Sequence, residues 1–333
     1  MAAFRARAAQ RRHAVTILPY RGYGNAQKLV LPGRVLEEKR ISPARVRGRR
    51  WRNLAAFIKL IESDEVPHAR LRTKFRDTTL ALRADKEGYF RVELNCPRIE
   101  AGWHEVEVRW MDDPAVRAFG RVLVPAKRAR FAVVSDIDDT VVYSYVTNKL
   151  RMLLTVALSN ARTRKPFAGV GAFYRALHAG INPFFYVSKA PWNLYVPLVE
   201  YLELQNLPEG PLFLRNLGLR MPRDHKRSAI CALLDSYPAL PFILVGDSGE
   251  DDPEVYADIV RRYPKRIRVI YIRSISRRAK RVAAIERLVE EVAATGCQLV
   301  LAPDSEHAAA HAAAEGLIDA TALRAVRAEK RSE

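Results

Sequence analysis

The second half of the chain alternates short apolar runs with segments of helical pattern, and no other feature constrains the fold as strongly. After residue 131 there are six apolar runs of strand length, among them "FAVVS" and "PFILVG". Strands buried on both faces are continuous apolar runs, and helices between successive strands are typical of a parallel sheet. We therefore predict an α/β domain whose parallel sheet has helices on both faces.

The first part of the chain has a different pattern, in which short strands are separated by turns. Apolar and polar residues alternate in "FRVEL" and "HEVEVRW", with the period of a half-buried strand, and "ADKEGYF" has the composition of a turn. We predict a small β-sandwich-like domain over residues 26–125, with one helix at 49–63. The segment "VPAKRAR" at 124–130 is predicted to link it to the α/β domain.

Charge is distributed unevenly between these parts. Residues 1–130 contain 29 Lys and Arg against 14 Asp and Glu, whereas residues 131–333 contain 27 against 23, so the balances are +15 and +4. A basic surface can bind nucleic acid, anionic lipid or an acidic protein, and charge alone does not choose among them. The predicted organisation is a basic N-terminal segment (1–25), the β-sandwich-like domain (26–125), the α/β domain (131–320) and a basic C-terminal tail (321–333).

Apolar length and cysteine usage indicate a cytoplasmic protein. The longest apolar stretches, such as "MLLTVAL" at 152–158, are much shorter than the about 20 residues that a membrane-spanning helix needs. The Arg-rich start has no apolar region followed by a cleavage site, so we do not expect secretion. Three widely separated cysteines without a CxxC pair fit a reducing compartment and give no zinc site.

Polar residues follow three of the predicted parallel strands, at the edge where function collects in such sheets. "SDIDDT" places Asp136, Asp138 and Asp139 after the first strand, and Ser188 follows the second. "GDSGEDD" then follows a later strand. Crowded carboxylates raise one another's cost of ionisation unless a cation or a shared proton relieves them, and a metal is the first candidate. Because Mg²⁺ prefers oxygen ligands and retains water and phosphate oxygens, magnesium is the predicted ion.

These motifs, taken in order, resemble a known group of phosphotransferases. "DIDDT", a Ser after the second strand, an isolated Lys226 and "GDSGEDD" look like the four motifs of the haloacid dehalogenase superfamily, whose catalytic domain is Rossmann-like. More narrowly, "SDIDDTV", "PFFYVSKAPWNLY" and "FILVGDSGEDDPEVY" are similar to the actin-patch type of phosphatidate phosphatase catalytic domain. The likeness covers about residues 131–275, and the set is far more specific than any one motif.

The resemblance implies a role for each matching residue. Asp136 would be the nucleophile that takes up phosphate, and Asp138 the general acid and base. Thr140 would fix the turn, Ser188 would hydrogen-bond the phosphoryl group, and Lys226 would neutralise its charge. The implied magnesium ligands are Asp136, the backbone carbonyl of Asp138, Asp247 and Asp252.

The fourth motif leaves one assignment open, because this chain has two adjacent acids where the family pattern has one. We favour Asp252, since the family pattern has a non-acidic residue before the acid that precedes Pro. Asp251 would then be exposed or lie behind the ligands. The spacing itself does not separate the two.

The leading hypothesis is a magnesium-dependent phosphatase for a phosphomonoester, above all a lipid such as phosphatidate. Two alternatives stay open: a phosphatase for a soluble metabolite or a nucleic-acid end, and a basic adaptor that has lost activity. The expected partner is an anionic membrane surface, with peripheral attachment. Its candidate contacts are 47–52, "RGRRWR", and 148–165, where the superfamily resemblance implies a small flap or cap over the site. The segment 148–165 is either a packed helix or an amphipathic element on lipid.

Overall fold

The computed structural model describes residues 14–38, 64–137, 169–215, 224–274 and 279–332. The chain divides into two compact units, Met1–Val124 and Pro125–Glu333. The boundary falls inside the segment 124–130 that the sequence assigns to the linker. Each unit is described by itself.

The first unit is a nine-stranded, mostly antiparallel sheet. The strands are β1 (Ala14–Pro19), β2 (Gly22–Gly24), β3 (Lys28–Glu38), β4 (Asp64–Glu65), β5 (Arg70–Phe75), β6 (Thr78–Arg83), β7 (Tyr89–Asn95), β8 (Gly102–Trp110) and β9 (Arg117–Val124). Their hydrogen-bonded order is β1-β3-β2-β9-β8-β5-β6, with β4 and β7 also paired to β3.

A single hydrophobic core holds this sheet together. Leu31 on β3 belongs to the same buried cluster as Leu71 on β5 and Val108 on β8, although β3 is separated from β8 and β5 by other strands in the strand order. The sheet must therefore fold over on itself for these side chains to meet. Alternation explains how: in β5 every second residue is buried, and the residues between are exposed. The β-sandwich-like expectation thus corresponds to one continuous sheet rather than to two.

The sheet begins earlier in the chain than predicted. Strands β1 and β2 lie within residues 1–25, which the sequence assigned to a basic N-terminal segment. Val15 to Pro19 pair with β3 in antiparallel register, and Tyr23 pairs with Leu123 of β9 in parallel. The missed strand β2 is only three residues long and lies between β3, the next strand in the chain, and the distant strand β9. Local pattern does not reveal such a strand.

The second unit contains a six-stranded sheet whose neighbours are all parallel. The order is β12-β11-β10-β13-β14-β15, which places β10 between β11 and β13. The predicted α/β class and the predicted parallel strands are confirmed. The strands are β10 (Ala132–Asp136), β11 (Phe184–Pro191), β12 (Leu212–Arg215), β13 (Phe242–Asp247), β14 (Ile267–Arg273) and β15 (Gln298–Ala302).

Helices cover the parallel strands, since consecutive residues of β10 are buried and so face neighbours on both sides. The helices are α1 (Val170–His178), α2 (Tyr195–Leu204), α3 (His225–Ser236), α4 (Asp252–Arg262), α5 (Ala279–Ala293), α6 (Ser305–Ala314) and α7 (Ala322–Ser332). Helices α1, α6 and α7 contact one another, and α4 contacts both α3 and α5.

The predicted basic C-terminal tail, 321–333, is largely helix α7, which packs against other helices of the second unit. Val326 is fully buried, and Glu329 accepts hydrogen bonds from the backbone N–H of Ala172 and from Arg175. Lys330 pairs with Asp304 at 2.7 Å. The charged composition of this segment suggested a tail, but it contains one fully buried side chain, that of Val326, and it packs against α1.

Several sequence predictions fall outside the described residues. They are the helix at 49–63, the basic segment 47–52, and the segment 148–165 that follows the acidic loop. Asp138, Asp139 and Thr140 also lie outside them. Among the helices that the structure describes, none has the length and apolar character needed to cross a bilayer.

Candidate active site

Lys226 is the centre of a buried charge cluster at the carboxyl edge of the parallel sheet. It lies at the start of α3, and its side chain is only 5% exposed. Its Nζ is 3.1 Å from Oδ2 of Asp136, the last residue of β10, and it also donates a hydrogen bond to Oδ1 of Asp252. The contact with Asp136 is an ion pair without the alignment of a hydrogen bond. One cation therefore serves two carboxylates that are themselves almost completely buried.

Asp252 is held in this cluster by the start of α4. Its Oδ2 accepts a hydrogen bond of 3.1 Å from the backbone N–H of Asp247. Gly246 permits that approach, since a Cβ at this position would lie 2.3 Å from the same carboxylate oxygen. Burial raises the pKa of Asp252, while the charge and hydrogen bond of Lys226 act in the opposite direction. Gly246, the first glycine of "GDSG", thus makes room for an acid six residues further on.

The two adjacent acids of the fourth motif have opposite environments. Asp252 is fully buried against Lys226, whereas the side chain of Asp251 is 81% exposed. Asp251 lies one residue before α4, where its carboxylate is 3.7 Å from Nζ of Lys189. The backbone turn at the start of α4 therefore directs one acid into the cluster and the other into solvent.

Glu250 is a member of the cluster that the sequence analysis missed. Its Oε2 is 3.4 Å from Nζ of Lys226 and 3.0 Å from Nζ of Lys189, so it lies between two ammonium groups. Partial burial lowers the pKa of Lys189, but the hydrogen bond and charge of Glu250 outweigh it and the net shift is upward. The only sequence indication was the position of Glu250 inside "GDSGEDD", beside acids that had been assigned roles.

Asp247 shapes the loop that carries Glu250. The last residue of β13, it is buried, and its Oδ1 accepts hydrogen bonds from the backbone N–H groups of Gly249 (2.6 Å) and Glu250 (3.2 Å). Its parallel neighbour on β14 is Arg273. Asp247 therefore stabilises the turn between β13 and α4 through its Oδ1.

Ser188 follows Val187, the residue of β11 that pairs with Asp136, and is almost completely buried. Its Oγ accepts a hydrogen bond of 2.9 Å from the backbone N–H of Ala190. The sheet thus brings Ser188 to the same edge as Asp136. The structure gathers Asp136, Lys226, Asp247 and Asp252 there as well, while Asp138 and Thr140 lie outside its described residues.

Three carboxylates could hold a cation together. Oxygens of Asp136, Glu250 and Asp252 all lie within 4.8 Å of one another. An all-oxygen set of this charge fits Mg²⁺, which is bound through carboxylates and keeps water and phosphate oxygens in its shell. Asp247 is not a member of this group of three, although it adjoins it through the backbone contact with Asp252.

An apolar cavity of about 110 Å³ adjoins the carboxylates. Asp136 and Asp247 contribute to its wall, as do Arg273 and Asp304, but most of its lining is aromatic or aliphatic. Tyr174 forms part of the wall and shares a hydrogen bond of 2.8 Å with Ser135. Burial raises the pKa of Tyr174 to about 12, so its hydroxyl is neutral at physiological pH. Charged groups and an apolar space thus meet at one place.

Comparison with known proteins relates this region to lipid phosphatases. Residues 131–274 match the family model "Phosphatidate phosphatase APP1, catalytic domain". The phosphatidate phosphatase APP1 of Saccharomyces cerevisiae is 34% identical over 153 residues, which are 43% of this chain and 26% of that protein. An uncharacterised protein of Schizosaccharomyces pombe is 25% identical over 202 residues, 57% of this chain and 33% of that one.

These matches support a relation between the α/β unit and the phosphatidate phosphatase family. The chain spans only about a quarter to a third of the length of the two curated relatives. Among solved structures, the carbohydrate acetylesterase XAC1771 from Xanthomonas citri aligns with 12% identity over 81% of this chain and 71% of that one. Its TM-score of 0.27 is too low to indicate a shared fold.

Proposed function

We propose that this chain is a magnesium-dependent phosphatase that converts phosphatidate to diacylglycerol and phosphate through a phosphorylated Asp136. The observation that carries the proposal is the buried contact of Lys226 with Asp136 and Asp252, in a unit that matches a phosphatidate phosphatase catalytic domain. Within this proposal the parallel sheet is the Rossmann-like core of a haloacid dehalogenase superfamily member. The protein acts in the cytoplasm, at the membrane surface.

Lys226 allows Asp136 to act as a nucleophile. A carboxylate approaches a phosphate only if the repulsion between the two anions is cancelled, and the buried ammonium group 3.1 Å away supplies opposite charge where water does not screen it. An oxygen of Asp136 forms a bond to phosphorus, and the bond from phosphorus to the diacylglycerol oxygen breaks. Asp138 gives that oxygen a proton.

The second step releases phosphate. Water attacks phosphorus, Asp138 takes a proton from it, and the bond between phosphorus and Asp136 breaks to regenerate the carboxylate. Ser188 donates a hydrogen bond to the phosphoryl group, and Thr140 holds the turn after the nucleophile. Lys226 stabilises the charge of the phosphoryl oxygens in both steps.

The carboxylates at this edge have the chemistry to hold magnesium. The proposed ligands are Asp136, the backbone carbonyl of Asp138, Asp247 and Asp252, with Glu250 as a further candidate because its oxygen lies within 4.8 Å of two of them. When bound there, Mg²⁺ supplies positive charge to the phosphate oxygens. The residues of the chain orient the nucleophile and move the protons.

The apolar cavity favours a lipid over a soluble metabolite. Every candidate substrate needs polar partners for its phosphate, but a sugar phosphate or nucleotide also needs them for its hydroxyls or base, whereas the cavity beside Asp136 and Asp247 is mostly apolar. A glycerolipid presents its phosphate next to apolar groups that can use such a surface. The proposal follows this chemistry and the relation to APP1.

A panel of substrates tests the proposal directly. Phosphate release is measured from phosphatidate in mixed micelles, from sugar phosphates, from nucleotides and from 5′-phosphorylated DNA, each with MgCl₂ and with EDTA. The expected result is magnesium-dependent release with the highest kcat/KM for phosphatidate. Preference for DNA ends or a metabolite would replace the substrate assignment, and no release from any of them would favour an inactive adaptor.

Substitution of the acids in the β13–α4 loop should affect the magnesium requirement to different degrees. We expect Asp247→Ala to raise the magnesium concentration for half-maximal activity most, Asp252→Ala to raise it substantially, and Asp251→Ala to change it little. The reason is that Asp252 is buried beside Asp136 whereas Asp251 points to solvent. Magnesium titrations of the three variants measure this order. A larger effect of Asp251→Ala than of Asp252→Ala would exchange their assignments.

A further inference from the structure

The outward side of strands β5, β6, β8 and β9 carries an unusual arrangement of cations, in the unit that is remote in sequence from the acidic motifs. Residues directly opposite each other in antiparallel strands point to the same face. Arg72 on β5 lies opposite Arg109 on β8, and Arg109 lies opposite Arg117 on β9. Three guanidinium groups therefore form a row across three adjacent strands.

The remaining outward positions continue this pattern, and together they are here called the basic face. Buried residues such as Leu71, Val108 and Val122 point to the opposite, core side of the same strands. Seven cations outnumber two carboxylates on the basic face. They are Arg70, Arg72, Lys74, Arg83, Arg109, Arg117 and Arg121, against Glu105 and Glu107.

Ion pairs offset only part of the charge of the basic face, in which Arg70 is paired with Asp112. Like charges placed directly opposite each other destabilise a sheet, and Arg70 opposite Arg83 adds a second such pair to the row. Glu107 is 2.6 Å from Arg109 and 3.9 Å from Arg117. Within the described part of the chain, Arg72 has no ion pair. A surface that needed only solubility would intersperse both signs of charge.

An aromatic side chain stands among these cations. Phe119 lies on β9 between Arg117 and Arg121 and is 55% exposed, which makes it one of the few large apolar side chains so exposed in the described residues. Trp103 is on the same side of β8, with the guanidinium of Arg121 4.6 Å above its ring. Cations around an exposed aromatic ring are typical of surfaces that bind where lipid headgroups meet acyl chains.

We propose that the basic face docks the protein on the anionic leaflet of a bilayer, with its guanidinium groups on lipid phosphates and Phe119 among the headgroups. The choice of a bilayer over nucleic acid rests on the proposed function, since a phosphatidate phosphatase must reach a substrate held in a membrane. Arg is suited to this contact because its planar donors bind phosphate oxygens in pairs. The segments 47–52 and 148–165 are separate candidates for contact with the membrane.

Vesicle binding of the full chain tests the proposal. Co-sedimentation is measured with vesicles of phosphatidylcholine and phosphatidylserine, and with phosphatidylcholine alone, in EDTA so that no turnover occurs. The triple variant Arg72→Gln, Arg109→Gln, Arg117→Gln should bind the anionic vesicles about 100-fold more weakly, since each lost cation weakens binding about fivefold. Phe119→Ser should weaken it about tenfold without any change of charge. Binding should fall as salt rises.

A matched variant controls for net charge. Lys265→Gln, Lys280→Gln, Arg287→Gln removes the same three charges from exposed positions of the second unit, and should bind within about threefold of the unchanged chain. Equal losses in the two triple variants would overturn the proposal. A second outcome would also overturn the proposal. The triple variant of the basic face would keep its vesicle binding but lose binding to duplex or single-stranded DNA at physiological salt, and the face would then serve nucleic acid.

Docking and catalysis can fail separately in this design. The basic-face variant should hydrolyse a soluble aryl phosphate as fast as the unchanged chain, and its Tm should be equal or higher because like charges have been removed. Weak vesicle binding with unchanged aryl phosphate turnover supports the docking surface. If the vesicle results hold but no variant or parent releases phosphate, the proposed function fails and the docking surface stands.

Discussion

Asp136→Asn is expected to lower phosphate release from phosphatidate by about 10³-fold or more, while the fold stays intact. The amide has nearly the same shape as the carboxylate but does not form the phosphoenzyme. Its neutral side chain leaves Lys226 in contact with Asp252, so the buried ammonium group keeps a negative partner. Steady-state kinetics on the purified variant, with circular dichroism to check folding, measure the effect.

The matched control is Asp251→Asn, which makes the same chemical change at a carboxylate that points to solvent. It should retain activity within about threefold of the unchanged chain, since exposed ion pairs contribute little. A folded Asp136→Asn variant with activity close to that of Asp251→Asn would rule out a covalent step at Asp136.

Lys226→Met should reduce both activity and stability. The substitution leaves Asp136 and Asp252 buried without their cation, and removing one partner of a buried ion pair costs about 3–5 kcal/mol. Activity should fall by about 10²- to 10³-fold, as when a group that stabilises transition-state charge is removed. Urea unfolding in EDTA, followed by hydrogen exchange of peptides from β10 and β13, reports on the second unit alone.

Lys189→Met is the comparison for this prediction, because Lys189 contacts the same cluster through Glu250 but its side chain is 39% exposed. We expect it to lower the free energy of unfolding by no more than about 1 kcal/mol. Equal losses in the two variants would show that burial of the Lys226 cluster does not determine its contribution.

The sequence predicted the parallel sheet well because its signal is local. Runs such as "FAVVS" and "PFFYVS" are apolar almost throughout, as strands buried on both faces must be, and segments of helical pattern separate them. Polar residues at the ends of those runs then had to meet at one edge. The structure places Asp136, Ser188 and Asp247 at that edge, as the strand order requires.

Other features depend on contacts that local pattern does not contain. Glu250 lies between two lysines only because the β13–α4 turn directs it inward, and that turn is set by the hydrogen bonds to Asp247. Strand β2 is three residues long and pairs with the distant strand β9 as well as with β3. Helix α7 was predicted as a tail because its charged residues conceal one apolar face, on which Val326 is buried.

The row of cations on the basic face was equally hidden from the sequence. The uneven charge of the two halves was visible, but the register that sets Arg72, Arg109 and Arg117 opposite one another was not. The predicted lipid contacts were instead placed at clusters of adjacent cations in the sequence. Side chains that share a sheet face come from positions far apart in the chain.

The central claim is that Asp136 carries the phosphoryl group, and trapping the intermediate tests it most directly. The Asp138→Asn variant should react with 4-nitrophenyl phosphate, whose leaving group needs no proton, and then stall because no base activates water. Acid quench and mass spectrometry of peptides should find one phosphoryl group on Asp136, with a nitrophenolate burst equal to the enzyme concentration. The claim would be contradicted if the unchanged chain turned over the substrate but the variant carried no phosphoryl group at any quench time. A phosphoryl group on a residue other than Asp136 would also contradict it.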